Sequence, residues 1–359
     1  MIKQFLRNTF PPDLFEDIKV LYNSLLRFFL KVFSYNGYTS SLYYFLFSSK
    51  FHREQMSVLK GRLKYLQGSE KNQQPRYLLR RNIHRLEKGI LMRPRKSVFG
   101  TSYINETVDA YHNCISAEGI ENIDFNEIQW ANDVLTKYFD VVDSDTNIDR
   151  AKIKFEQING NPINLNEIEK VPYKVNLEAH QPVNFEDFLS LVKHRKSVRW
   201  YLKKNIPREE IDKALLAASM APSACNRQPY EFRVFDHSET VKKIASLPWG
   251  TAGFVDNIPA IMVIVGKLEA FFDERDRHLI YIDASLSAMS FILALETMGI
   301  SSCALNWPDV KEAEQQINRA LNLEPNERVI MLLAFGYPDP EGQVAYSQKK
   351  SLDELRQYQ

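Results

Sequence analysis

Cysteine is scarce in this sequence, and that scarcity narrows the chemistry. The 359 residues hold three cysteines, Cys114, Cys225 and Cys303. They lie far apart in no metal-binding or redox spacing, so free thiols and a reducing, cytoplasmic setting are expected. Histidine is also sparse, with seven residues, and there is no HExxH, CxxC or His/Asp ladder. No metal site is expected. No uninterrupted stretch reaches the roughly 20 apolar residues of a spanning helix. Residues 20–48 are aromatic and aliphatic, but Arg27 and Lys31 interrupt them. A secretory leader is not expected either, because Asp13, Glu16 and Asp17 precede any apolar run and no small-residue cleavage site follows. Repeats and low-complexity tracts are absent.

What is present is a soluble globular composition, 44% apolar and 25% charged. The length suits two domains, or one large domain with an extension. The net charge of +1 conceals an asymmetry. Residues 51–100 carry 13 Lys/Arg against 3 Asp/Glu, and residues 101–190 carry 6 against 17. Such blocks are solvated faces, or they pair with each other, or the basic one meets an anionic partner. Nucleic acid is disfavoured as that partner, because Tyr65, Tyr77 and Phe99 are too sparse among the basic helices for a base-stacking platform. An anionic membrane surface fits better. "VLYNSLLRFFLKVF" upstream reads either as an interfacial amphipathic helix or as a helix docked on the body of the protein.

Residues 1–160 read as helices joined by polar loops. In "PRYLLRRNIHRLEKGIL", Leu79, Ile83, Leu86 and Ile90 form one stripe, and Arg80, His84 and Lys88 a basic stripe beside it. Residues 160–184, rich in Pro and Asn, read as a linker or wrapping segment. Near residue 185 the pattern changes. "FEDFLSLVKHR" and "IPREEIDKALLAASM" are helical, the second with Pro207 at its start and Glu209 and Glu210 in its first turn. "YEFRVF" alternates as a strand, and "NIPAIMVIVG" and "RVIMLLAFGYP" read as buried strands. A long apolar helix ends at Gly299, a short strand "SSCAL" follows, and "DVKEAEQQINRALNL" is amphipathic. The architecture reads as mixed α/β layers. The pattern divides the chain into a helical region, 1–180, as a candidate lid, membrane-surface or partner-binding element, and a second domain, 181–359.

Three segments carry candidate chemistry. In "HRKSVRWY", Arg195 and Arg199 share a face if the backbone is helical, and Arg195, Ser197 and Arg199 share one if it is extended. Two guanidinium forks with a hydroxyl suit a phosphate monoester; read alone, they are equally a basic surface turn. In "SMAPSACNRQPYEF", Pro222 and Pro229 bracket a run in which Asn226 and Gln228 offer a donor and an acceptor each, suited to the edge of a heterocycle or to loop self-capping. In "GISSCALNWP", small residues could back a flat ligand or simply form a buried edge strand. Cys225 and Cys303 have no histidine placed to activate them and read as packing residues. His194 and His278 read as surface or supporting residues, and Asp283 as a structural partner rather than a base.

Taken together, "RKSVR", "APSACNRQPYEF", "MGISSCAL" and "FGYPDP" resemble the FMN-dependent nitroreductase family, in that family's order and spacing, over residues 185–359. The resemblance implies an α+β fold, a nitroreductase-like mixed sheet flanked by helices, preceded by the mostly helical region. It implies a homodimer with FMN at the subunit interface and NAD(P)H as reductant. By position, Arg195, Lys196, Ser197 and Arg199 would grip the ribityl phosphate. Pro222, Ser223, Ala224, Asn226 and Gln228 would meet the isoalloxazine, with the loop contributed across the dimer. Ala304 and Leu305 would back the ring, and the Asn306 N–H would approach N5. Lys349, with Lys350 as a rival, would face the N1–C2=O edge and favour reduction as the catalytic cation. Tyr230 stands where the family usually has Trp, and Lys349 where many members have Arg. The expected reaction is ping-pong hydride transfer to a small-molecule acceptor. The alternatives are dehydrogenation or reductive elimination on one dedicated metabolite, and a non-catalytic interaction protein on the same fold. The expected location is cytoplasmic, peripheral to a membrane if the N-terminal helices bind lipid.

Overall fold

The computed structural model describes residues 11–70, 75–116, 124–158, 169–175 and 183–359. The expected linker at 160–184 lies outside these residues except at 169–175, which forms no helix or strand, and at its last two positions. Packing divides the chain into two compact units, Met1–Met56 and Ser57–Gln359. The change of sequence pattern near 180 is therefore not where the packing divides.

Among the described residues the first unit holds two whole helices and the start of a third. α1 (Pro12–Phe33) starts with proline in its first turn and Asp13 beside it, where the N-terminal dipole favours both. α2 (Gly37–Leu46) is fixed by a capping box in which the Asn36 side chain accepts the Thr39 N–H at 2.9 Å. Phe29 and Phe33 of α1 pack their rings on Phe47 at centroid distances of 5.8 and 5.5 Å. Neither helix buries a residue completely.

The second unit begins within α3 (His52–Glu70) and continues through α4 (Pro75–Leu91), α5 (Ile104–Ser116), α6 (Phe125–Val141) and α7 (Thr146–Ile158). Helices α4 to α7 share one core. The stripe Leu79, Ile83 and Leu86 is fully buried against Val108, Tyr111, Val134, Leu135, Tyr138 and Phe155, with Ile90 partly buried at its edge. A smaller cluster joins these helices to the rest of the unit: Val58 of α3 and Tyr77 of α4 pack on Leu268, Phe271 and Ile280.

The sheet has the order β1-β2-β4-β3, with β1 (Tyr230–Phe235), β2 (Ala260–Lys267), β3 (Ser301–Asn306) and β4 (Glu327–Gly336) all antiparallel to their neighbours. A parallel bridge between Ser197 and Ser302 makes its β3 edge mixed. β2 is buried on both faces, as its unbroken apolar run requires. Helices α8 (Phe185–His194), α9 (Arg208–Ser219), α10 (Ser238–Ala245), α11 (Leu279–Thr297), α12 (Lys311–Leu321) and α13 (Leu352–Leu355) complete the chain. α9 and α11 cover the face of Met262, Ile264, Leu333 and Phe335. α10 and α12 cover the opposite face, with Ile261, Val263, Val265 and Leu332. This is the α+β arrangement of a mixed sheet flanked by helices that the sequence implied. The 24-residue stretch Glu274–Thr297 is long and apolar enough to span a membrane. It contains α11, whose Ala284, Ala288, Phe291 and Leu295 are buried against the sheet.

Candidate functional site

Residues 195–199 leave α8 extended rather than helical, so Arg195, Ser197 and Arg199 project to one side. Ser197 bridges Ser302, and the Val198 N–H donates to the Ser302 carbonyl at 3.0 Å. Tyr201 fixes the end of the segment, its hydroxyl donating to the Val198 carbonyl at 2.6 Å and lying 3.2 Å from the Ala334 carbonyl. Burial pushes the Tyr201 phenol well above its ordinary value, so it stays a neutral donor. Lys196, Ser197 and Arg199 are exposed and Arg195 is half-buried. Among the described residues no carboxylate pairs with Arg195, Lys196 or Arg199. The Arg199 guanidinium lies over Phe254 at 6.0 Å, and its backbone carbonyl accepts from Asn257 Nδ2 at 2.9 Å.

β3 brings its small residues alongside. Alternation along the strand exposes Ala304 and Asn306 and turns Leu305 into the core, beside Cys303 and Trp307. Only Ala304 and Asn306 therefore face outward next to the arginines. Leu305 does not share their face. Cys303 is buried, and burial raises its thiol pKa despite the opposing charges of Arg199 and Arg195. It is a packing residue by that measure.

The proline-bracketed loop is built differently. Cys225, Asn226 and Gln228 have φ of 52°, 50° and 49°, the left-handed region that costs a non-glycine residue energy. The loop is held from two sides. Asp283 of α11 accepts the Ala224 N–H at 2.9 Å. Arg80 of α4 donates from Nε to the Asn226 carbonyl at 2.7 Å and from a terminal nitrogen to Gln228 Oε1 at 3.0 Å. Gln228 Nε2 donates to the Ser219 carbonyl at 2.9 Å, so that amide is largely committed within the protein. Ser223 Oγ accepts the Gln228 N–H at 3.1 Å. Among the described residues the Asn226 side chain makes no hydrogen bond, which leaves its amide free for a ligand. Pro222 is exposed, while Ser223 and Ala224 are half-buried. Arg227 is buried, lies 5.0 Å from the Phe271 ring and leaves Nε without a partner.

The loop and the arginine segment are tied to opposite ends of α11. The loop is anchored at Asp283, near the start of α11. The arginine segment is anchored at the other end, where His194 Nδ1 meets Glu296 Oε1 at 2.8 Å. Those anchors are 13 residues apart on one helix, about 20 Å at 1.5 Å per residue. Lys349 and Lys350 are exposed, in the segment before α13, where Gln348 Nε2 donates to the Lys349 carbonyl at 2.9 Å. Tyr346 is exposed in that segment, and α13 exposes Leu352 and Leu355.

The Nitroreductase family model matches residues 192–252 and 241–337. The C-terminal half of the chain belongs to the nitroreductase family. It is an oxidoreductase domain. The chain is 29% identical over 156 residues to a protein of Archaeoglobus fulgidus named as an NADH dehydrogenase/NAD(P)H nitroreductase, covering 44% of this chain and 88% of that one. It is 25% identical over 219 residues to iodotyrosine deiodinase 1 of Sus scrofa, covering 53% of this chain and 75% of that one. Among solved structures, an FMN-dependent nitroreductase of Clostridium difficile R20291 is 26% identical, with a TM-score of 0.38 over 44% of this chain and 92% of that one.

For the nitroreductase-family domain, an FMN phosphate fits Arg195 and Arg199, which have no carboxylate partner among the described residues, and a flavin edge fits the free Asn226 amide. Several residues that build the site were not singled out from sequence. Arg80 was visible only as one member of a basic stripe, and Tyr201 closed the quoted "HRKSVRWY" segment without a role of its own.

Proposed function

We propose that the domain is an FMN-dependent oxidoreductase that takes hydride from NAD(P)H and passes it to a small-molecule acceptor in ping-pong fashion, working as a homodimer. The observation that carries this reading is the extended Arg195–Arg199 segment. It is positively charged, is without a carboxylate partner, and is seated on the strand edge that exposes Ala304 and Asn306. Bound FMN would supply the hydride-accepting ring. Arg195, Ser197 and Arg199 would hold its phosphate, with Lys196 adding positive charge. Ala304 and the Asn306 N–H would lie against the ring. The loop of Pro222, Ser223, Ala224 and Asn226 would meet the ring edge from a second copy of the chain, a reading supported by the separation of about 20 Å along α11 between its anchor, Asp283, and the arginine segment's anchor, Glu296. Lys349 or Lys350 would be delivered by the exposed C-terminal segment. Ile282, Leu286 and Met289 form an exposed apolar stripe on α11, as a subunit interface requires.

A second observation favours a dedicated substrate. The helical core of α4 to α7 lies in the same compact unit as the flavin domain and reaches its loop through Arg80. A generalist reductase has no need of such an addition. One relative is named as a deiodinase of iodotyrosine, an activity on one dedicated substrate. The first 56 residues we assign to an anionic membrane surface, because α1 and α2 expose apolar residues on several sides.

Sedimentation velocity of the purified protein, followed at the protein and flavin absorption bands, tests the main reading. A flavin-absorbing species of dimer mass is expected. No flavin band, even after FMN is added, sinks the function. A monomer that carries flavin sinks the composite site.

A further inference from the structure

The left-handed loop needs an external restraint. Three residues within four positions occupy a backbone region that costs about 1 kcal/mol or more each for side chains other than glycine. Local bonds account for part of the restraint: Asn226 N–H to the Ser223 carbonyl at 2.9 Å, and Tyr230 N–H to the Gln228 carbonyl at 2.8 Å. Outside the loop, Asp283 holds the Ala224 N–H and the Ser219 carbonyl holds Gln228 Nε2, and the positions of Asn226 and Gln228 are restrained together by Arg80, 146 residues away in sequence.

Arg80 is built to act there. Its Nε and one terminal nitrogen bind the Asn226 carbonyl and Gln228 Oε1, and its other terminal nitrogen lies 3.2 Å from Glu127 Oε2. Glu127, on α6, is buried, and Arg76 also donates to the same oxygen, from Nε at 3.1 Å and from a terminal nitrogen at 2.6 Å. The Arg80 guanidinium also lies over the Trp130 ring at 5.7 Å, and Trp130 Nε1 donates to Glu87 Oε1 at 3.0 Å. All three nitrogens of Arg80, itself on α4, are thus fixed by the loop and by a carboxylate on α6. The flanking Leu79 and Ile83 are locked into the helical core. The fork geometry is what allows one residue to bridge a backbone carbonyl and a side-chain amide while keeping its carboxylate.

We propose that Arg80 is a positioning residue of the flavin site, through which the helical core of α4 to α7 holds the Asn226–Gln228 loop in its binding conformation. The inference rests on the FMN reading above. Arg80 meets the loop's backbone carbonyl and the inner side of Gln228, and it leaves the Asn226 amide to the ligand. The helical region is then part of the cofactor site rather than an addition beside it. Without Arg80 the loop would relax to ordinary backbone conformations, and ordering it again would weaken binding.

The test uses full-length Arg80→Lys and Arg80→Gln proteins. FMN dissociation constants are measured by quenching of flavin fluorescence, and thermal melting is followed by circular dichroism. Lysine keeps the charge opposite Glu127, so that variant should melt close to the wild type, but one ammonium cannot replace the fork. FMN binding is expected to weaken severalfold in Arg80→Lys and about tenfold or more in Arg80→Gln. Backbone amides 224–228 should exchange faster with solvent in apo Arg80→Lys than in apo wild type, while those of α4 and α6 stay protected. A folded Arg80→Lys that binds FMN within twofold of wild type, with unchanged exchange at 224–228, overturns the inference and leaves the flavin reading intact. A wild-type protein that takes up no FMN overturns the flavin reading and this inference with it.

Discussion

A carboxylate taken out of water needs compensation, and Asp283 receives it from one backbone N–H, that of Ala224. Burial dominates, and it raises the Asp283 pKa above its ordinary value, against the lowering effects of the Ala224 bond and Arg227. The folded state therefore holds this proton more tightly than the unfolded chain does. Stability falls as pH rises from the ordinary carboxylate value through the raised folded one, and the penalty is constant above it. Asp283→Asn keeps an oxygen for the Ala224 N–H and removes the charge. Its melting temperature should lack the decline that wild type shows across that window; superimposable pH profiles would reject the assignment. At this scale the sequence was informative where chemistry repeats at short range. Arg195, Ser197 and Arg199 alternate, and an extended backbone puts them on one side. It was silent where partners are distant in the chain. Nothing near Gln228 announced that Arg80 and the Ser219 carbonyl would occupy its amide. Leu305 was grouped with Ala304 by adjacency, although a strand sends neighbours to opposite faces.

At the scale of elements, close packing decides which residues may be small. Gly61 of α3 lies against Leu268, where a Cβ would sit 2.6 Å from the Leu268 Cβ and 2.8 Å from its backbone carbonyl carbon. Alanine favours a helix over glycine by about 1 kcal/mol. A collision with backbone cannot be relieved by a rotamer change, so here the clash should outweigh the propensity gain. Gly61→Ala is expected to destabilise the protein by about 1–3 kcal/mol in denaturant unfolding, and a higher midpoint than wild type would contradict the packing. The strands of the C-terminal half were legible because a strand buried on both faces is an unbroken apolar run and one buried on a single face alternates. The expected strand at 230–235 is β1 itself. The end of α11 was legible from Gly299, which adopts a φ of 71° just past the helix. Where α3 docks was not legible, because its amphipathic pattern specifies an apolar face without specifying what covers it.

At the scale of the molecule, the packing boundary at Met56/Ser57 leaves the helices of 57–158 with the sheet and sets the first two helices apart. Periodicity could not show this, since helices on either side of that boundary have the same repeat. The first unit bears its apolar residues outward. Leu14, Ile18, Leu21, Leu25, Phe28 and Val32 follow three-and-four spacing along α1, and all are exposed. Such a stripe alone would suit a partner helix. Val20, Tyr22 and Leu30 on α1, with Tyr38 and Phe45 on α2, are exposed as well, so the apolar surface extends beyond one seam. Residues 1–56 carry seven Lys/Arg against four Asp/Glu. An apolar surface on several sides, with a basic excess and interspersed tyrosines, suits the interface of an anionic bilayer better than a single protein groove. Burying Leu21 and Phe28 in that interface is worth about 1.5–3 kcal/mol each. The full-length protein should therefore co-sediment with vesicles containing phosphatidylserine and much less with neutral ones. Leu21→Asp combined with Phe28→Asp, at two exposed positions, should return it to the supernatant without changing its melting temperature. Pelleting that is unaffected by the double substitution, or a wild type that ignores both kinds of vesicle, would remove the membrane from the picture. Concentration-dependent self-association abolished by the same two substitutions would instead identify a second copy as the occupant of the stripe.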